Sequence, residues 1–187
     1  MTEVEKNEPI DGPSRAVSKA ADAASLSQAA AAALVLVSTP IGNLGDLSPR
    51  ARDSLAGADA VLCEDTRTSA VLLRAHGIKT KLQALHEYNE AEQVPKLVAA
   101  MQAGAHYALI SDAGTPLVAD PGYRLVRAAI AAGLTVGGIP GPNAAVLALT
   151  LSGLPPHPFL FAGFLPPKPA ARTTALARLR EAEAAGL

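Results

Sequence analysis

The chain has 187 residues, a net charge of −1, 49% apolar residues and 3% aromatic ones. This balance excludes a general basic field of the kind that advertises nucleic-acid binding, although a local patch remains compatible with it. It also requires a core of Ala, Val, Leu and Ile, which suits close packing of helices on a sheet.

Residues 1–33 mix acids (Glu3, Glu5, Glu8, Asp11, Asp22) with bases and end in an Ala-rich stretch. A secretory signal needs a basic start followed directly by an apolar segment, so this region reads as a disordered N-terminal extension. The single cysteine, Cys63, excludes an internal disulfide framework and fits a reducing, cytoplasmic compartment. Neither CxxC nor HExxH occurs, so no metal site is expected. Apolar runs are too short for a membrane span.

From residue 34 onward, strands and helices alternate. "LVLVS" (34–38) is a continuous run of the kind buried on both faces of a parallel sheet. Ser48 and Pro49 read as an N-cap and first helical position, opening a helix to Gly57. Strand "AVLCE" (60–64) precedes a helix over 68–76 that Gly77 stops. Strand "KLQAL" (81–85) precedes a helix over 91–103, with Pro95 in its first turns. Strand "HYALIS" (106–111) precedes a helix over 122–132, and strand "LTVGGI" (134–139) precedes one over 143–151. Five such units predict an α/β fold, with a five-stranded, mostly parallel sheet covered by helices on both faces. Residues 34–154 form this domain. Residues 155–187 read as a stiff "PPHP" linker, a strand "FLFAGF" (159–164), a basic loop and an amphipathic helix, the truncated start of a second α/β domain.

Ligands of such sheets bind beyond the carboxyl ends of the strands. Those ends carry "STPIGNLGD", "EDTRTS", "HEYNE", "SDAGTPLVADPG" and "IPGPNAA". "PIGNLG" matches neither GxGxxG nor GxxxxGK[ST], and without the Lys a triphosphate cradle is not expected. As an ordinary turn it would place Asn43 and Gly45 at positive φ. In "EDTR" a helix cap accounts for one of four polar residues. His86 stands beside a carboxylate in "LHEYNE", where an imidazole serves as acid, base or donor, or else bonds to backbone. His76, His106 and His157 read as structural or exposed. Twelve residues in "SDAGTPLVADPG" make a loop of functional length. In "IPGPNAA" two prolines fix the backbone, so its polar groups meet a ligand at low entropic cost.

These segments, in this order, resemble the tetrapyrrole methylase superfamily, and within it the bacterial 16S rRNA 2′-O-ribose methyltransferases. The matching residues are "STPIGNLGDLSPRA" (38–51), "CEDTRTS" (63–69), "GIKT" (77–80), "LHEYNE" (85–90), "LISDAGTPLVADPGYRLVRAA" (109–129), "IPGPNAAVLAL" (139–149) and "SGLPPHPFLFAGFLPPK" (152–168). The resemblance implies two α/β domains with S-adenosylmethionine in the cleft between them, a homodimer, and no metal. The implied acceptor is the ribose 2′-hydroxyl of a cytidine in the decoding region of 16S rRNA. Carried over by motif, Pro40, Ile41, Thr115, Val118, Asn143 and Ala144 contact the methyl donor. Related methylases often have Asp where Thr115 stands. Asp65, Arg67 and His86 are expected on the acceptor side as the catalytic group, with Arg67 on phosphate. Lys168, Arg172, Arg178 and Arg180 are candidates for an RNA-facing strip or for an ordinary solvated helix face. The alternatives are a corrin or porphyrin-precursor methyltransferase of the same superfamily, and a non-catalytic dimerisation or binding module.

Overall fold

The computed structural model describes residues 32–184; the expected N-terminal extension lies almost wholly outside them. Five strands form one sheet: β1 (Leu34–Val37), β2 (Ala60–Cys63), β3 (Leu82–Ala84), β4 (Tyr107–Leu109) and β5 (Val136–Ile139). Their order is β3-β2-β4-β1-β5, and every pairing is parallel. Leu34 sits opposite Tyr107 on one side and Val136 on the other, which places β1 between β4 and β5. Among the described residues the helices are α1 (Pro49–Gly57), α2 (Thr66–Ala75), α3 (Glu87–Gln102), α4 (Tyr123–Ala131), α5 (Ala144–Leu151) and α6 (Pro169–Ala184).

Side chains of a strand alternate between its two faces, and here both faces are apolar. Val35, Val61, Cys63, Ala108 and Ile110 point into one core with Ala51 and Leu55 of α1 and Leu72 and Leu73 of α2. Leu34, Leu62 and Leu109 point into the other, with Leu97 and Met101 of α3 and Leu125 and Ala129 of α4. The near-absence of aromatic residues is thus matched by two thin aliphatic layers. Burial raises the Cys63 thiol above its ordinary value, and the carboxylates of Asp112 and Asp65 add to the rise.

Three local expectations need correction. The third helix begins at Glu87, four residues early, because His86 takes the N-cap position and its N–H donates to Asn89 Oδ1 at 2.9 Å. "HEYNE" is therefore mostly helix rather than loop. In the first loop, positive φ falls on Gly42 (147°), whereas Asn43 is extended (φ −115°) and its Oδ1 caps a short 3-10 turn, Leu44–Asp46. The segment 159–164 forms no strand. A strand needs a neighbouring ladder to satisfy its N–H and C=O groups, and Phe159–Phe164 meet none among the described residues and are exposed. In α6, Ala175, Leu179 and Ala182 form the less exposed stripe, at helical spacing.

Candidate functional site

Strand order sorts the carboxyl-end loops into two groups. Loops after β4, β1 and β5 are neighbours, as are loops after β3, β2 and β4; the β4 loop, residues 110–122, belongs to both.

The first group is bonded into one unit. Thr39 N–H donates to Gly114 O at 2.9 Å and Gly114 N–H returns to Thr39 O at 3.1 Å, a single antiparallel bridge. Thr39 is buried, and its Oγ1 donates to Ser111 O at 3.1 Å. The Ser111 hydroxyl donates to Gly114 O at 3.2 Å. Ser38 Oγ donates to Thr115 Oγ1 at 3.4 Å, and Thr115 Oγ1 donates to Pro142 O at 3.2 Å, joining all three loops. Such closeness requires glycine. A Cβ on Gly141 would lie 2.8 Å from Ser38 Cβ, and one on Gly114 would rest 3.4 Å from Ile41 Cγ2 at a φ of 85°. Gly114 and Gly141 are there to let neighbouring loops approach this closely.

The structure therefore gathers Ile41, Thr115 and the 142–144 turn, but in particular states. Pro40 is buried and can offer only backbone. Thr115 is spent on tying loops together. Asn143 caps α5, its Oδ1 accepting from Val146 N–H at 3.0 Å. Ala144 is exposed at the start of that helix. Val118 is exposed between Leu117 and Ala119, both at a φ of 70°, a conformation costing about 1–3 kcal/mol each for such residues.

Of the second group, Asp65 and Arg67 meet. Asp65 is the N-cap of α2, with Oδ1 accepting from Arg67 N–H at 2.8 Å, and its carboxylate also receives the guanidinium. Arg67 holds the Asp65 carboxyl below the usual carboxylate range. His86 stands apart from this pair, on the neighbouring loop. Its ring packs edge-on against Tyr88 (centroids 6.1 Å apart), and its Nδ1 is buried without a hydrogen-bond partner.

Between the β2, β3 and β4 loops lies a hollow of about 370 Å³, lined by Glu64, Glu87, Glu90, Asp120, Pro121 and Arg124 among others. Four acids against one arginine repel phosphate. Burial pushes the Asp120 carboxyl up, and Glu64 and Asp112 push it further. Sequence reasoning missed Asp120 and Glu90. A helix begun at Glu87 rather than 91 puts Glu90 in its first turn, and that was the signal available. A second hollow, of about 410 Å³, is lined by Val35, Arg50, Asp53, Ser54, His106 and Ile139 among others, beside α1. It holds none of the expected site residues.

Among the described residues no cluster of His, Cys, Asp and Glu could hold a metal ion, and no helix is long and apolar enough to cross a membrane. A family model described as Tetrapyrrole (Corrin/Porphyrin) Methylases matches residues 33–185. The chain belongs to the tetrapyrrole methylase family. Within it, the chain is similar to the "Ribosomal RNA small subunit methyltransferase I" of Mesorhizobium japonicum, 60% identical over 148 residues, 79% of this chain and 50% of the relative. The protein of the same name from Xylella fastidiosa strain Temecula1 is 51% identical, over 78% of this chain and 54% of the relative. The crystal structure of uroporphyrin-III-C-methyltransferase from Thermus thermophilus aligns at 30% identity, over 65% of this chain and 52% of that one, with a TM-score of 0.49. The chain spans about half the length of the curated relatives it matches.

Proposed function

We propose that this chain is the N-terminal half of an S-adenosylmethionine-dependent methyltransferase acting on a ribose 2′-hydroxyl of a cytidine in 16S rRNA. The observation that carries this reading is the bonded unit of Thr39, Gly114, Thr115 and Pro142, in a tetrapyrrole methylase 60% identical over 148 residues to a small-subunit rRNA methyltransferase. In the working enzyme a second domain completes the donor pocket, and the protein acts in the cytoplasm as a homodimer.

S-adenosylmethionine, when bound, supplies a methyl group already activated on sulfur. The backbone around Pro40 and Ile41, the 115–118 segment and the turn at Asn143 and Ala144 hold and orient the donor. Held geometry of this kind removes about 7–11 kcal/mol from a two-substrate barrier. Arg67 engages an RNA phosphate. Asp65 or His86 accepts the hydroxyl proton, a contribution of about 10²–10⁴-fold. Mapping ribose methyl groups on small-subunit rRNA from a strain lacking the full-length protein tests the reading. One lost cytidine 2′-O-methyl group is expected, and an unchanged rRNA methylation map would overturn it. Calorimetry with S-adenosylmethionine asks separately whether this half alone binds the donor.

A further inference from the structure

Glu90 borders the acidic hollow but has no role assigned above, and it is a carboxylate with 6% of its surface exposed. Carboxylates are rarely buried so deeply without a partner. Its partners are two backbone amides at the start of another helix: Oε1 accepts from Arg124 N–H at 3.0 Å and from Leu125 N–H at 3.3 Å.

These amides are among the first of α4, which have no partner within their own helix. An N-cap side chain normally serves them, but the N-cap here is Gly122. Gly122 cannot be exchanged for Ser or Asp. Its φ is 114°, and an added Cβ would lie 2.6 Å from Leu109 Cδ2 and 2.9 Å from Leu117 Cδ2. The cap is therefore delivered from α3, more than thirty residues earlier in the chain. A negative charge at that point also suits the positive end of the α4 dipole.

We propose that Glu90 is a positioning residue: it anchors the downstream end of the 110–122 loop and so sets the shape of the wall that faces the methyl donor. The upstream end is fixed by the Thr39–Gly114 bridge. Between the two anchors lie Leu117 and Ala119 at positive φ, which persist only where the surroundings hold them. Glu90 also sits one turn into the helix that His86 caps, so the same carboxylate ties the acceptor-side loop to the donor-side loop. The inference rests on the donor reading for its functional half; the anchoring half stands on the hydrogen bonds alone.

The test compares Glu90→Ala and Glu90→Gln by amide hydrogen exchange in this chain and by calorimetry with S-adenosylmethionine in the full-length enzyme. Gln keeps the acceptor oxygen; Ala removes it. In Glu90→Ala, residues 112–125 exchange at least about tenfold faster while β1 and β4 keep their protection, as loss of charge-assisted bonds predicts. Donor affinity falls about tenfold in the same variant, and Glu90→Gln restores both to within about twofold. Unchanged loop exchange in Glu90→Ala would overturn the proposal. So would a uniform loss over the whole sheet in both variants, which marks an ordinary core position. If the full-length wild-type enzyme binds no donor, the functional reading fails, and the exchange pattern still decides the anchoring role of Glu90.

Discussion

The Asp65 carboxylate takes the Arg67 guanidinium with both oxygens, Nη2 to Oδ2 at 2.9 Å and Nε to Oδ1 at 3.2 Å. The cation expected to meet RNA phosphate is thus already paired, two residues away on the same helix start. On the proposed reading, a phosphate that draws Arg67 away from Asp65 would release a carboxylate able to accept a proton. One exchange of partners would then link binding to readiness for proton transfer.

In the full-length enzyme, Arg67→Ala weakens RNA binding and lowers the slope of log affinity against log salt by about 0.7–0.9, one phosphate. Asp65→Asn keeps the helix cap, since Asn caps as well as Asp, and raises RNA affinity while methyl transfer falls by about 10²-fold or more. Filter binding across a salt series and single-turnover methylation check both. Near-wild-type transfer rates in Asp65→Ala, Arg67→Ala and His86→Ala together would remove all three from the site.

Gly141→Ala pushes a Cβ to 2.8 Å from Ser38 Cβ, and such overpacking is expected to cost about 1–3 kcal/mol. Gly57→Ala is the control. It ends α1 with nothing within 4 Å of an added Cβ, and a substitution compatible with the backbone is expected to stabilise by about 0.4–1 kcal/mol. Denaturant unfolding of both variants reads the difference; equal midpoints would contradict the packing account.

Thr39→Val keeps the shape of a buried side chain but removes the donor to Ser111 O. An acceptor left unpaired in the interior is expected to cost about 1–3 kcal/mol. Because that bond ties the β1 loop to the β4 loop, S-adenosylmethionine affinity should fall with it. Thermal unfolding and calorimetry on one preparation give both numbers, and loss of neither would refute the role assigned to the Thr39 hydroxyl.

Burial and the acids around it raise the Asp120 carboxyl above its unfolded value. The folded chain therefore holds this proton at pH values where the unfolded chain has released it. Stability contributed by this group falls as pH rises through that interval, and the penalty persists above it. Asp120→Asn is expected to raise the melting temperature near neutral pH, with the advantage gone below about pH 4, the unfolded value. A melting series across pH would show it; an advantage independent of pH would contradict the electrostatic cause.

The five-unit α/β pattern was legible because most strands are short apolar runs closed by Gly, Pro or acids, as at Leu34–Val37 and Ala60–Cys63, with Gln83 of β3 the exception. The close packing of the β1, β4 and β5 loops was legible too, since Gly114, Gly141 and the prolines announce close backbone approach. Strand order was not, because nothing local in "AVLC" or "YAL" records that β4 inserts between β1 and β2. Glu90 escaped for a related reason: its partners, Arg124 and Leu125, are distant in the chain, and a buried carboxylate looks like any surface Glu in sequence. The segment 159–164 misled because its apolar run satisfies the composition of a strand without supplying a neighbour to pair with.

Residues 110–122 lie between the β1 and β5 loops on one side and the β2 and β3 loops on the other, so on the proposed reading they would be a party wall between donor and acceptor. A genetic screen that sorts variants by which of two substrates they fail to bind would sort Ile41 and Arg67 cleanly. It would not sort Pro116, Leu117 or Ala119, because a shift of the segment they share would be felt on both sides.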